Sequence, residues 1–223
     1  MLEEGLILRK DNRNMEGIIS YPEEAPCRRS AALFPPHPKL GGDIDNNILR
    51  AVAECLVSKG FLTGRFNYRG VGRSEMEVER VPLFDYWNGL DEKGDFNNII
   101  SDAKFTTSEI MRISSTQSIT LAGYSFGTMI ASAISSGLAV SSCILISPPF
   151  SFYDCSALSC FRGKILFIIA ENDFCVKEEE ILSFIEKNRM DAVSKVIAGE
   201  DHFYIGTEDK ICGLISEFIS SII

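Results

Sequence analysis

Hydrophobic positions follow two different spacings from about residue 45 to the end of the chain. Apolar residues three or four positions apart predict helices over 47–59, 96–113, 127–136, 177–188 and 210–222. Short apolar runs between them predict strands over 61–68, 118–122, 140–147, 164–170 and 192–197. The sequence therefore predicts alternating helices and strands through most of its length.

The first 45 residues follow a different pattern. Extended segments are predicted over 5–9 and 16–21, and Pro22 ends the second of them. A short buried strand is predicted over 31–34, and it stops at Pro35. The two opening segments are expected to form an antiparallel edge of the sheet.

The predicted strands are continuous apolar runs, such as Lys-Ile-Leu-Phe-Ile-Ile-Ala at 164–170. Runs of this kind are typical of a parallel sheet that helices cover on both faces. The predicted fold class is therefore α/β, a three-layer sandwich with a mostly parallel central sheet and helices on both faces. A chain of 223 residues fits one domain, which we predict to span 1–223.

The segment 75–95 is the least regular part of the chain. Proline and glycine interrupt its pattern, yet it contains four large apolar side chains, Leu83, Phe84, Tyr86 and Trp87. We predict that it forms a small cap over a site or an insertion in the domain.

The net charge of −9 limits the expected partners. A chain this acidic repels phosphate backbones and anionic membrane surfaces, so the sequence argues against nucleic-acid and membrane partners. No stretch is apolar over the roughly 18 residues that a membrane-spanning helix requires. The expected partner is a small-molecule substrate. The sequence indicates no particular oligomeric state.

The cysteines and the first residues indicate a cytoplasmic protein. The seven cysteines are odd in number and include no C-x-x-C pair, which favours reduced thiols. The opening Met-Leu-Glu-Glu-Gly is acidic and differs from a secretion signal. The two histidines and the scattered cysteines lack the spacing of a metal site, so no metal is expected.

One motif points to chemistry, the sequence Gly123-Tyr124-Ser125-Phe126-Gly127, which matches G-x-S-x-G. An apolar strand runs directly into the motif, and a helix rich in small residues follows it. A nucleophile elbow requires this strand–turn–helix context, because the serine sits on a sharp turn at the start of the helix. Ser125 is therefore the predicted nucleophile.

A serine hydroxyl needs a base, and the base needs an acid to orient it. His202 follows a predicted strand and precedes the last helix, which is the place of the base in the chain order Ser…acid…His. His37 precedes the serine and is the weaker candidate. Asp173 follows the most apolar strand and is the predicted acid, with Glu171 and Asp201 as alternatives.

An oxyanion hole requires two hydrogen-bond donors. The first predicted donor is the backbone N–H of Phe126, the residue after the nucleophile. The second is expected in the loop 35–42, where the prolines have no N–H to donate. Lys39 and Leu40 are the predicted donors in that loop.

Aromatic residues cluster near the predicted edge of the sheet, at Phe126, Phe150, Phe152, Tyr153, Phe174, Phe203 and Tyr204. They are equally compatible with ordinary packing and with an apolar pocket for an acyl group. Phe150, Phe174 and Phe203, together with His37, are the predicted substrate-binding residues.

Five segments resemble, in order, the small lidless α/β-hydrolases known as predicted esterases or dienelactone-hydrolase-like proteins: PPHPKLGGDIDNNI, GRFNYRGVGRSE, GYSFG, ENDFCV and GEDHFY. The likeness extends over nearly the whole chain from about residue 15, and prolyl oligopeptidases and acyl-peptidases are more distantly similar. The resemblance implies the α/β-hydrolase fold and a Ser-Asp-His triad on Ser125, Asp173 and His202, with no metal or organic cofactor. The chain departs from the family at Pro35, where the loop often has a histidine.

The expected function is that of a serine hydrolase. It would cleave a carboxylic ester or thioester of a small acyl substrate through an acyl-enzyme intermediate. One alternative is a peptidase acting on short peptides, for which the sequence shows no charged group to hold a peptide terminus. Another is a non-catalytic binding or scaffold protein, since a fold does not determine a function.

Overall fold

The computed structural model describes residues 1–24, 27–78 and 80–222. Within these ranges one sheet contains eight strands, β1 (Leu2–Lys10), β2 (Arg13–Tyr21), β3 (Arg29–Phe34), β4 (Phe61–Phe66), β5 (Ile119–Tyr124), β6 (Val140–Ile146), β7 (Lys164–Ala170) and β8 (Ala192–Ile197). The α-helices are α1 (Asn47–Ser58), α2 (Leu83–Lys93), α3 (Asn97–Ser114), α4 (Phe126–Ile134), α5 (Glu178–Asn188) and α6 (Glu208–Ile222). Short 3₁₀ helices lie at Pro38–Leu40 and Ser156–Cys160.

The strands follow the order β1-β2-β4-β3-β5-β6-β7-β8. The strands from β4 to β8 pair in parallel, whereas β1 and β2 form an antiparallel hairpin at one edge. Asp11 and Asn12 connect the hairpin with positive φ angles of 49° and 61°, the backbone that a two-residue hairpin turn favours. The predicted mostly parallel sheet is confirmed.

Helices cover both faces of the sheet, so the predicted three-layer α/β sandwich is also confirmed. On one face α1 and α6 pack against strand residues such as Ala122 and Ile144. On the other face α3, α4 and α5 pack against residues such as Leu121 and Leu145. Successive residues of each strand thus enter opposite cores, which explains why the sequence shows continuous apolar runs.

The sheet topology determines where a site can form. From β3 the chain passes through α1 to β4 on one side, and it later enters β5 on the other side of β3. The strand order therefore reverses at β3, and the loops beyond the carboxyl ends of β3 and β5 separate there. Open parallel sheets bind ligands in the crevice at such a point.

Helix α2 is the one α-helix of the described residues that the hydrophobic pattern did not indicate. It lies within the irregular segment 75–95, where Pro82 occupies the N-cap and Gly94 ends the helix with a left-handed φ of 61°. Proline is tolerated at a helix start because the N–H it lacks has no intrahelical partner there. The other predicted elements are found with their ends shifted by a few residues.

No helix in the described part of the chain combines the length and the apolar character that crossing a bilayer requires.

Candidate active site

Ser125 occupies a strained turn between β5, which ends at Tyr124, and α4, which begins at Phe126. Its φ and ψ of 52° and −122° lie in a region that side chains rarely adopt, at a cost of about 1–3 kcal/mol. The Ser125 N–H donates to the carbonyl of Ile146 at 2.9 Å, which fixes the turn to β6. The turn presents the serine hydroxyl at the carboxyl edge of the sheet.

The two glycines of the motif are needed because the backbone around them is crowded. A Cβ at Gly123 would lie 2.4 Å from the carbonyl oxygen of Gly127. A Cβ at Gly127 would lie 2.1 Å from the carbonyl oxygen of Phe34 and 2.8 Å from that of Pro35. The start of α4 therefore touches the loop after β3, and any side chain at Gly127 would separate them.

The structure brings together the three residues predicted as nucleophile, base and acid. His202 Nε2 lies 2.9 Å from Ser125 Oγ, and His202 Nδ1 lies 3.0 Å from Asp173 Oδ1. The side chains of His202 and Asp173 are 3% and 0% exposed. Asp173 follows β7 and His202 follows β8, so both reach the edge that carries Ser125.

Asp173 accepts further hydrogen bonds that hold its carboxylate in place. The Ser147 hydroxyl donates to Oδ2, and the Cys175 N–H donates to Oδ1 at 2.8 Å. Burial alone raises the pKa of Asp173, but the hydrogen bonds from His202, Ser147 and Cys175 outweigh it and the pKa falls below its ordinary value. The acid is therefore ionised at neutral pH, as a partner for a charged imidazole must be.

Ser147 was not predicted as a site residue. It directly follows β6 with a positive φ of 48°, and its Oγ also lies 2.7 Å from the Tyr204 hydroxyl oxygen. Its signal in the sequence is its place at the end of an apolar strand, before Pro148, on the same edge as Ser125 and Asp173.

The neighbours of His202 fix the position of its ring. The Tyr124 hydroxyl donates to the His202 carbonyl oxygen at 2.7 Å. The ring of Phe174 lies 4.7 Å from the imidazole, and Cys175 Sγ lies 3.9 Å from Nε2. These contacts keep the imidazole between the serine and the carboxylate.

Lys39 and Leu40 were predicted to donate the second hydrogen bond of the oxyanion hole, but their amides bond to other groups of the same loop. The Lys39 N–H donates to His37 Nδ1 at 3.1 Å, and the Leu40 N–H donates to the His37 carbonyl oxygen at 2.8 Å. The N–H of His37 itself has no hydrogen-bond acceptor among the described residues. Phe126 begins α4, so its N–H has no intrahelical acceptor either.

The His37 side chain was predicted to bind substrate, and the structure places it beneath the loop instead. The residue is 4% exposed, and its ring contacts the rings of Trp87, Phe126 and Tyr153. Burial lowers the pKa of His37, and the nearby Asp91 carboxylate only partly opposes that shift. The ring is therefore neutral at pH 7 and does not line the cavity at Ser125.

A cavity of about 150 Å³ opens beside Ser125 and His202. Its other lining residues are Pro36, Leu40, Asn46, Asn47, Tyr124, Phe203 and Ile205. Of the three aromatic residues predicted to bind substrate, Phe203 lines the cavity. Phe174 lies against the His202 ring and is 59% exposed, and Phe150 packs on Phe184 of α5 at 5.1 Å, away from the cavity.

Ile205 is a cavity residue that the sequence did not indicate. Its side chain is 83% exposed at the mouth. None of the described residues of the segment 75–95 lines the cavity, and helix α2 of that segment packs beside the loop after β3.

One group of potential metal ligands lies at the same place. Ligand atoms of Asp173, Cys175 and His202 lie within 4.8 Å of one another. Both nitrogens of the His202 ring already face partners, Ser125 on one side and Asp173 on the other. A metal ion would have to displace one of them, so the geometry suits proton transfer better than metal binding.

The sheet order, the helix layers and the strained serine after β5 define the α/β-hydrolase fold. Over 97% of each chain, the structure is similar to an α/β serine hydrolase homologue from Coxiella burnetii, with a TM-score of 0.82 and 24% identity. A lidless α/β serine hydrolase from Xanthomonas campestris gives 0.77 and 20%, covering 98% of this chain and 94% of that one. A cold-adapted esterase from an Arctic intertidal metagenomic library gives 0.71 and 17%, covering 99% and 93%.

Sequence comparison adds one relative. An uncharacterized protein of Rickettsia prowazekii (strain Madrid E) is 25% identical over 202 residues, which cover 86% of this chain and 79% of the relative. No family model matches the chain. The comparisons therefore support the fold alone.

Proposed function

We propose that this protein is a serine hydrolase that cleaves a carboxylic ester or thioester through an acyl-enzyme on Ser125. The observation that carries the proposal is the unbroken path from Ser125 Oγ through the His202 ring to the Asp173 carboxylate, with separations of 2.9 and 3.0 Å. Nucleophile and base lie within the distance over which a proton transfers, and the acid fixes the ring.

The proposed reaction begins with attack of Ser125 Oγ on the substrate carbonyl carbon. His202 Nε2 takes the hydroxyl proton, and the carbonyl electron pair moves onto oxygen to form an oxyanion. The intermediate then expels the alkoxide or thiolate, which receives the proton from His202. Water repeats the two steps on the acyl-enzyme, releases the acid and restores the Ser125 hydroxyl.

The backbone amides of Phe126 and His37 are the proposed donors of the oxyanion hole. Lys39 and Leu40, the second donors expected from the sequence, already use their amides within the loop. The His37 N–H makes no such bond within the described part of the chain, and His37 directly follows Pro36, which lines the cavity at Ser125. An amide without a partner in the ground state is available to stabilise charge that develops in the transition state.

The lining of the cavity favours a small apolar acyl group over a peptide. Its volume of about 150 Å³ is below the roughly 300–1,000 Å³ of pockets that enclose a larger ligand. Leu40, Phe203 and Ile205 provide apolar surface, and no Lys, Arg, Asp or Glu is among the described residues that line it. A peptidase for short peptides would usually need such a charge to hold a terminus.

We also propose that the protein acts in the cytoplasm. All seven cysteines are unpaired in the structure, as expected in a reducing compartment.

The proposal is tested with a panel of acyl esters and thioesters of graded chain length, assayed on wild type and Ser125→Ala. The substitution should reduce kcat by about 10⁴-fold or more, since a triad acts as a unit. Ser151→Ala, at an exposed serine in the segment after β6, is the matched control and should keep full activity.

Labelling with a fluorophosphonate separates an enzyme from a scaffold. The wild type and Ser151→Ala should react, whereas Ser125→Ala should not. Failure of the wild type both to react and to hydrolyse any of the panel would favour the non-catalytic alternative. Hydrolysis that survives in Ser125→Ala would show that another residue is the nucleophile.

A further inference from the structure

Asp91 of α2 gathers contacts from two segments that surround the site. Lys39 Nζ, from the loop after β3, lies 2.6 Å from Asp91 Oδ2. The Tyr153 hydroxyl, from the segment after β6, donates to Asp91 Oδ1 at 3.2 Å. The same Oδ1 lies 3.3 Å from His37 Nε2. One carboxylate thus links α2 to both segments.

The tautomer of the neutral His37 ring follows from the hydrogen bond that Nδ1 accepts. Nδ1 accepts the Lys39 N–H, so in the neutral ring the proton is on Nε2, which faces Asp91. The Nε2–H of His37 and the Asp91 carboxylate are too poorly aligned for a regular hydrogen bond, and Nε2 has no other partner among the described residues. The contact is therefore an attraction between the N–H dipole and the carboxylate charge.

Helix α2 also contacts His37 through an apolar side chain. Trp87 lies one helical turn before Asp91, so both side chains project from the same face of α2. The Trp87 ring lies 4.9 Å from the His37 ring and 5.7 Å from the Phe126 ring, and its Nε1–H donates to the Arg69 carbonyl oxygen at 3.1 Å. The side chain of His37 is fixed on its polar and apolar sides.

We propose that α2 supports the loop after β3 (35–42), which carries the His37 amide, and that Asp91 is the residue that positions this loop. Asp91 holds His37 and Lys39 so that the His37 N–H points at the developing oxyanion, without touching the substrate itself. The inference rests on the proposed function, because this support matters only if that amide stabilises an oxyanion. The segment 75–95 then acts on the site from beneath the loop rather than as a cap.

The size of the expected effect follows from how an oxyanion hole works. Loss of a whole donor lowers kcat by about 10²–10³-fold, and an error of 1 Å in position can cost about 10²-fold. Removing this support leaves the donor present but free to move. The expected loss in kcat is therefore about 10- to 100-fold, with little change in KM.

The test compares Asp91→Ala with Glu92→Gln, which removes the same charge from the next, exposed position of α2. The readouts are kcat and KM on a short-chain ester and the Ki of a trifluoromethyl ketone, which forms an oxyanion on the serine. Asp91→Ala should lower kcat and weaken the inhibitor by similar factors while KM stays within about twofold. Glu92→Gln should match wild type.

A second variant covers the case in which Asp91→Ala folds poorly. Lys39→Met breaks both contacts of Lys39 Nζ with α2, the one at 2.6 Å from Asp91 Oδ2 and the hydrogen bond of 2.6 Å to Asn88 Oδ1, but keeps the aliphatic stem. Because the contact between Asp91 and His37 remains, it should show the same pattern at a smaller size. Wild-type values of kcat and inhibitor Ki in a folded Asp91→Ala or Lys39→Met would overturn the proposal, as would an effect confined to KM. An inactive wild type would instead contradict the proposed function.

Discussion

The imidazole of His37 meets the phenyl ring of Phe126 edge to face, with 5.0 Å between the ring centres. The backbone amides of these two residues are the proposed donors of the oxyanion hole. The side chains of the donors are thus in contact with each other, and Trp87 packs against both. We therefore expect aromatic packing behind the loop to help Asp91 hold the two amides in place before a substrate arrives.

Asp173→Asn should reduce kcat by about 10⁴-fold while the protein stays folded. The amide keeps the shape of the side chain but favours the wrong tautomer of His202, whose ring then cannot take the Ser125 proton. Steady-state kinetics and a thermal melt measure the two effects. Glu171→Gln is the control, since Glu171 is exposed, and strong loss of activity there would point to a different acid.

Ser147→Ala should lower kcat about tenfold and leave KM nearly unchanged. The hydroxyl donates to Asp173 and helps to keep its pKa below the ordinary value, so its loss weakens the hold on the ionised acid. Kinetics on a short-chain ester would detect the change. Ser151→Ala removes an exposed hydroxyl nearby, and equal losses in the two variants would contradict a specific role for Ser147.

Ile205→Ala should raise KM for apolar esters about fivefold, with kcat unchanged. The side chain is 83% exposed at the cavity mouth, so the fold loses little when it is removed. Lost apolar contact of roughly 1 kcal/mol weakens ground state and transition state equally. Leu182→Ala, at an exposed leucine on α5, should leave KM as it is. An unchanged KM for Ile205→Ala would show that acyl groups bind elsewhere.

Asp102→Asn should destabilise the protein by about 3 kcal/mol at pH 7. Its buried carboxylate receives bonds from Arg69 at 2.6 Å, Lys10 at 2.9 Å and Arg13 at 3.3 Å. Removing one partner of a buried ion pair costs about 3–5 kcal/mol, and Glu77 still pairs with Arg69, so we expect the lower value.

The destabilisation by Asp102→Asn should depend on pH. Burial alone raises the pKa of Asp102, but the bonds from Arg69, Lys10 and Arg13 lower it below the ordinary value. Its stabilising effect is therefore complete above the pKa of an unfolded aspartate, about 3.9, and fades as the pH falls through the lower folded-state pKa. Urea unfolding of both proteins from pH 7 to pH 2 measures the difference, with Asp85→Asn as an exposed control. A difference that stays constant below pH 4 would contradict this account.

The sequence predicts well what depends on neighbours along the chain. The elbow at Ser125 is a local strand–turn–helix pattern, and Asp173 and His202 follow strands whose carboxyl ends share one edge. Parallel topology brings these residues to one edge of the sheet, and the loops after β7 and β8 then reach back toward β5. The fold class follows from the same strands because their apolar runs require cover on both faces.

The sequence does not show what depends on contacts between distant segments. The free amide of His37 becomes apparent only when the loop is folded and the amides of Lys39 and Leu40 have found acceptors. Phe150 is aromatic like Phe203, but it packs against Phe184 of α5 and is partly buried there. Helix α2 is stabilised by packing of Trp87, which outweighs the weak local signal around Gly89.

The close approach of Gly127 to the carbonyl oxygen of Phe34 has a consequence for how the proposed active site is assembled. The nucleophile turn and the loop after β3 come from distant parts of the chain, and each takes its final shape only against the other. If the proposed function is right, a nascent or partly unfolded molecule in which β3 has not docked beside β5 is therefore expected to be inactive. The rate of substrate turnover would then report the fraction of native molecules during refolding.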